Sequence, residues 1–186
     1  MSYLRTFAPW IVYAVVPAQH WQWAALIAFA ISLANIARQT RAGRRVDSQL
    51  IDIGSALFFA ALTALAFADP DSALHPYSPA ISSGVLALIA VISLAVRMPF
   101  TLPIAKQSTP RQMWEHPGFI RTNYIITSVW AASFAIGCVA LTVLAHSSST
   151  LRICAQVAAF VIPAVFTIRY VAHIQAKAKT LGEPLS

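Results

Sequence analysis

The chain is 186 residues long, 58% hydrophobic and only 10% charged, against about 45–50% and about 25% in ordinary globular domains. Its mean hydropathy is +0.67, and 13 Lys and Arg against 6 Asp and Glu give a net charge of +7. These values exclude a disordered chain, a solvated coiled coil and most soluble enzymes. They describe an all-α polytopic membrane protein, whose helices are apolar all round because lipid is their solvent.

The first apolar stretch, Phe7 to Val16, is short. As a helix it rises only about 15 Å, half the thickness of the hydrocarbon core. Three readings stay open: a short tilted span that includes Tyr3 and Leu4, a re-entrant or interfacial segment, and a signal peptide. Arg5 would supply the basic start of a signal peptide and Val16-Pro17-Ala18 its cleavage site. The next apolar run begins at once, which favours an uncleaved segment. Five long runs follow: Trp21 to Ala37, Leu50 to Ala68, Ile81 to Val96, Tyr124 to Ala145, and Leu151 to about Val171. Each approaches the roughly 20 residues that cross a bilayer. The chain therefore reads as one integral membrane domain over 1–186, a helical bundle of five or six spans.

The positions of the cations fix its expected orientation. Arg38, Arg41, Arg44 and Arg45 share one polar gap, Arg97, Lys106, Arg111 and Arg121 another, and Arg169, Lys177 and Lys179 lie near the C-terminus. Arg5 begins the chain, and Arg152 alone falls elsewhere. Basic gaps alternate with base-free ones, which is the positive-inside pattern. The basic loops and the C-terminus are expected in the cytoplasm, with 69–80 and 146–150 outside. The cations set orientation and touch anionic headgroups. They follow no single stripe, so nucleic acid is not an expected partner.

Packing between spans relies on small residues, because lipid supplies no hydrophobic drive for helix pairing. Ser133 with Gly137, Ala24 with Ala28, and Ala56 with Ala60 have the required four-residue spacing. Trp21, Trp23, Tyr77 and Tyr124 lie near run ends, where amphipathic rings settle at the interface. Cys138 and Cys154 fall inside apolar runs and read as small hydrophobes; there is no zinc spacing.

Residues 97–123, RMPFTLPIAKQSTPRQMWEHPGFIRTN, form the most distinctive stretch, a Pro-rich cytoplasmic interfacial loop. Pro99, Pro103, Pro110 and Pro117 forbid one continuous helix. Thr109 is placed to cap a short helix with Pro110 at its first position, running to about His116. Arg111, Met113 and Trp114 would then lie together at the membrane surface, either as a plain connector or as a docking site for lipid or protein. A basic residue before Pro-Phe (Arg97-Met98-Pro99-Phe100), then Trp114, then Asn123 opening a span that contains Trp130, resembles the bacterial intracellular septation protein A group of inner-membrane proteins. Length, the early proline-containing segment, the central basic loop and the basic tail follow the same plan. The central loop is longer and richer in proline, and the spans richer in Ala. The resemblance implies a cell-envelope or septation role in a bacterial inner membrane, without known enzymatic chemistry.

Ionisable groups inside spans are costly and often functional. Asp52, Asn35, Arg97, Arg121 and Asn123 all fall near the cytoplasmic ends of spans. They could form an anion- or substrate-binding cluster, with Asp52 paired to Arg97 or Arg45. The plainer alternative is that Asp52 favours its own helix N-terminus while the arginines snorkel to headgroups. On the outer side, His20, Asp69, Asp71, His75 and His146 are metal-ligand types, but they come from three gaps without ligand spacing and read as solvated loop residues. No GxSxG or phosphate loop is present and Asp52 is alone among carboxylates in the spans, so neither catalysis nor a cofactor is expected. The leading expectation is a non-enzymatic inner-membrane scaffold for envelope or septum proteins, acting through helix faces and the 97–123 loop. The other is a small carrier or channel for a metabolite or lipid, made by homo-oligomerisation around the Asn35, Asp52, Arg97, Arg121 and Asn123 set.

Overall fold

The computed structural model describes residues 2–16, 18–43 and 49–180. Every regular element among them is helical. The helices are α1 (Ser2–Val15), α2 (Trp21–Arg41), α3 (Leu50–Ala68), α4 (Ser78–Ala95), α5 (Thr101–Ala105), α6 (Pro117–Val143) and α7 (Ser149–Thr180). Single 3₁₀ turns occur at Ala18–His20, His75–Tyr77 and Arg111–Met113. Among the described residues, four segments are long and apolar enough to cross a membrane: Ile51–Ala68, His75–Ala95, Pro117–Val143 and Ser149–Lys177. Thr6–Val15 is apolar but shorter. The fifth expected span, α2, is 21 residues long, but Asn35, Arg38, Gln39 and Arg41 make its last two turns polar. The side chains of Arg5, Arg44, Arg45 and Lys179, and Pro17 in the cleavage-site reading, lie outside the described residues.

The chain divides into two compact units, Met1–Pro79 and Ala80–Ser186. In the first, α2 lies along α3. The buried residues of α2 are Trp21, Ala24, Ala25, Ala28 and Ser32, the spacing of one helical stripe. All but Trp21 are small, so the two backbones approach closely. Ser32 returns its hydroxyl proton to the Ala28 carbonyl at 2.9 Å and so buries no unpaired donor. The buried residues of α3 include Ile51, Ser55, Ala56, Phe59, Leu62 and Ala66. At one end of the pair, Trp21 donates its indole N–H to the Pro70 carbonyl at 3.3 Å and stacks on His75, while Trp23 meets Phe67 edge-on. At the other end, Gln39 Nε2 donates to Asp52 at 2.8 Å. The two helices are thus antiparallel along the whole length of α3.

α1 is held to α3 by aromatic side chains. Trp10 is 3% exposed; it stacks on Phe58 at 5.2 Å and meets Phe59 at 4.8 Å. Its indole N–H donates to Ser55 Oγ at 2.8 Å, and Ser55 passes its own proton to the Ile51 carbonyl. These two bonds satisfy the Trp10 indole and the Ser55 hydroxyl, the condition for placing an indole in an apolar core.

In the second unit, α6 and α7 form a helical hairpin. Pro163 lies inside α7. It has no N–H, so the carbonyl four residues earlier, that of Ala159, lacks its intrahelical donor. Ser133 of α6 donates to that carbonyl at 3.0 Å. Gly137, one turn further along α6, makes the approach possible: a Cβ there would stand 2.9 Å from the Ala159 methyl. A second bridge runs from the Trp130 indole N–H to Thr167 Oγ1 at 3.1 Å, and Thr167 donates in turn to the Pro163 carbonyl. Trp130, Phe134 and Phe160 pack around these bonds.

Candidate functional site: the segment joining α4 to α6

The segment begins where α4 ends. Arg97 adopts φ 58°, the left-handed conformation that usually falls to Gly at this place. Its N–H bonds to the Leu94 carbonyl at 3.0 Å, and the Met98 N–H to that of Ser93 at 2.8 Å. These are the paired bonds of a Schellman stop. Pro99 follows, and a proline cannot extend the helix. Ser93 then reaches beyond its helix: its hydroxyl donates to the Ala90 carbonyl and accepts from the Phe100 N–H at 3.2 Å. The turn is therefore fixed by side-chain as well as backbone bonds.

α5 is pinned to α6. Thr101, fully buried, donates to the Asn123 carbonyl at 3.1 Å and shares a hydroxyl–hydroxyl bond of 2.8 Å with Thr127. Phe100 is buried and meets the Trp130 ring edge-on. A five-residue helix has too few internal bonds to persist alone, so these contacts decide that it forms.

The stretch after α5 differs from the helix expected over 110–116. Only Arg111–Met113 turn, as 3₁₀. Thr109 does not cap them; its hydroxyl donates back to the Ala105 carbonyl at 2.9 Å. The reason lies with Trp114, whose indole N–H takes the Thr109 carbonyl at 2.9 Å and pulls the chain into a tight loop. Lys106 Nζ lies 5.1 Å and the Arg111 guanidinium carbon 5.8 Å from the Trp114 ring centroid, both within cation–π range. α6 starts at Pro117, several residues before the expected Tyr124, with proline in the first turn as usual. His116 is its N-cap, accepting the Gly118 N–H at Nδ1 over 3.2 Å. A Cβ at residue 118 would press on that ring at 3.1 Å, so glycine leaves room for the cap.

The site residues read from the sequence fall as follows. Asn35, half-buried on α2, and Asp52, 3% exposed in the first turn of α3, belong to the first unit. Asp52 accepts from Gln39; Arg45 lies outside the described residues. Arg97, Arg121 and Asn123 belong to the second unit. Arg97 and Arg121 are exposed. Asn123 is 2% exposed, and its amide donates to the Phe119 carbonyl at 2.9 Å. Two residues apart, Arg121 and Asn123 occupy opposite sides of α6. Arg111 is exposed, and Met113 and Trp114 are half-buried.

Among the described residues no three of His, Cys, Asp and Glu gather as a metal site, and His75 is stacked on Trp21. Cys138 and Cys154 are free thiols; the sulfur of Cys138 would lie 3.2 Å from a Cβ at Gly84. Sequence reading missed Ser93, Thr101 and Thr127 as the residues that fix the segment. Small polar residues in apolar runs are the signal, since each must find an acceptor there. Comparison with protein-family models, curated proteins and solved structures returned no match.

Proposed function

We propose that this protein is a non-enzymatic bacterial inner-membrane scaffold for envelope or septum assembly, and that residues 97–116 are its cytoplasmic docking platform. One observation carries the reading. The segment is tied down by the Ser93, Thr101 and Trp114 hydrogen bonds, yet Arg97, Lys106, Arg111 and Arg121 make no ion pair with a described carboxylate. Basic charge alone suits any cytoplasmic connector, but a plain connector does not need the internal bonds. A preformed surface loses less entropy on binding. The likeness of Arg97-Met98-Pro99-Phe100, Trp114, Asn123 and Trp130 to the septation protein A group supports the biological setting.

We further infer five full spans, with α1 a short sixth. The support is the pairing of α2 with α3 from Trp21–Pro70 to Gln39–Asp52: a helix that follows a membrane-length neighbour end to end crosses with it. α1 is 14 residues long, about 21 Å, and Trp10 lies beside Ser55 and Phe59 of α3. The alternation of basic gaps supports cytoplasmic loops at 38–49 and 97–116 and a cytoplasmic C-terminus.

The test is affinity purification in mild detergent from wild-type and variant cells. Envelope or division membrane proteins are expected at stoichiometric yield, lost with Trp114→Ala and Arg111→Gln and retained with Asp52→Asn. Partner loss with Asp52→Asn and none with the loop variants would overturn the reading.

A further inference from the structure

We propose that Lys106, Arg111 and the Trp114 indole form a binding site for the headgroup of an anionic phospholipid. The inference rests on the reading of 97–116 as a preformed platform and names one ligand for it. Both cations gather at one ring, 5.1 and 5.8 Å from its centroid. That ring is fixed in turn by its bond to the Thr109 carbonyl. A cation–π contact leaves the positive charge in place, and neither side chain has a carboxylate partner among the described residues.

Charge along the segment is mainly positive. Exposed Arg97 and Arg121 bracket the segment, and Glu115 is the single carboxylate in 97–121. Depth is set by the chain itself: Trp114 stands three residues before Pro117, where a membrane-length helix begins. At that level a span meets the headgroups, the depth indoles favour.

The chemistry fits a phosphodiester on a glycerol backbone. The guanidinium offers a planar fork to two phosphate oxygens, and the ammonium adds a point charge. The indole supplies an apolar face for the glycerol and first acyl carbons. Inorganic phosphate could use the cations but not the ring, which is why the lipid is the assigned ligand.

Native mass spectrometry of the full chain in neutral detergent tests this, with phosphatidylglycerol titrated against phosphatidylcholine. A basic residue near a lipid surface is worth about fivefold in affinity. Lys106→Gln with Arg111→Gln is therefore expected to weaken phosphatidylglycerol retention by roughly 30-fold, and Trp114→Ala by about two- to fivefold. The exchange Lys106→Arg with Arg111→Lys is expected to keep most of the binding, which separates lost recognition from lost folding. Arg38→Gln with Arg41→Gln removes the same charge from the end of α2 and is expected to leave retention unchanged.

Equal retention of the two lipids would overturn the site. So would an equal loss in the Arg38, Arg41 variant, which would mean diffuse attraction, or displacement by millimolar inorganic phosphate, which would mean a phosphate site. Trypsin separates this failure from failure of the platform. Rapid wild-type cleavage after Lys106 and Arg111 overturns both readings; slow cleavage without lipid preference overturns only the lipid site.

Discussion

Replacing Ser133 by Ala tests whether the α6–α7 hairpin is held by the donor that Pro163 takes away. The Ala159 carbonyl is the one Pro163 leaves without an intrahelical N–H, Ala159 is 5% exposed, and Ser133 Oγ reaches it at 3.0 Å. Water cannot substitute for that donor in an apolar interior. A buried carbonyl left unpaired costs about 1–3 kcal/mol, while hydrogen bonds between spans average about 0.6 and reach about 1.7 kcal/mol. Ser133→Ala should therefore cost about 1–1.5 kcal/mol.

The same substitution in a Pro163→Ala background should cost less than about 0.5 kcal/mol, because residue 163 then supplies its own N–H to Ala159. The coupling energy of the cycle is expected to be about 1 kcal/mol. Reversible unfolding in mixed micelles, at increasing dodecyl sulfate fraction and followed by far-UV circular dichroism, measures all four proteins. An equal cost of Ser133→Ala in both backgrounds would refute the reasoning. It would mean that Ser133 contributes packing alone.

Two further predictions concern the α4–α6 segment. Arg97→Gly should stabilise the protein by about 1 kcal/mol, because a residue with a Cβ at positive φ carries a cost of that order that glycine avoids; Arg97→Val should lower the unfolding midpoint instead. Thr101→Val keeps the shape but removes the bonds to Asn123 and Thr127; a loss of about 1–2 kcal/mol and faster tryptic cleavage after Lys106 are expected, with Thr101→Ser close to wild type.

Spacing in the sequence was enough to mark some of the contacts. Ser133 and Gly137 stand out as a small pair four residues apart, and α7 approaches α6 there. Ala24 and Ala28 mark the face of α2 that is buried. The register between paired helices was not legible, because small residues fix which face packs but not which partner it meets. Nothing in the order of residues links Ser133 to Pro163, or Trp10 to Ser55. Each link forms only when two helices have docked and a donor on one meets an orphaned acceptor on the other.

The sequence by itself determined an all-helical chain with membrane-length apolar segments, because solvation by lipid leaves a composition signature that needs no partner residue. It also determined that 97–123 is not one helix, since proline acts through its own ring. The tertiary structure decided what the segment becomes instead. The docking of α5 depends on residues distant in sequence, through Thr101 to Asn123 and Thr127, while the left-handed turn at Arg97 and the gathering of Lys106 and Arg111 at Trp114 come from local bonds that no hydropathy or periodicity pattern marks. Local preference is weaker there than the need of each buried polar group for a partner.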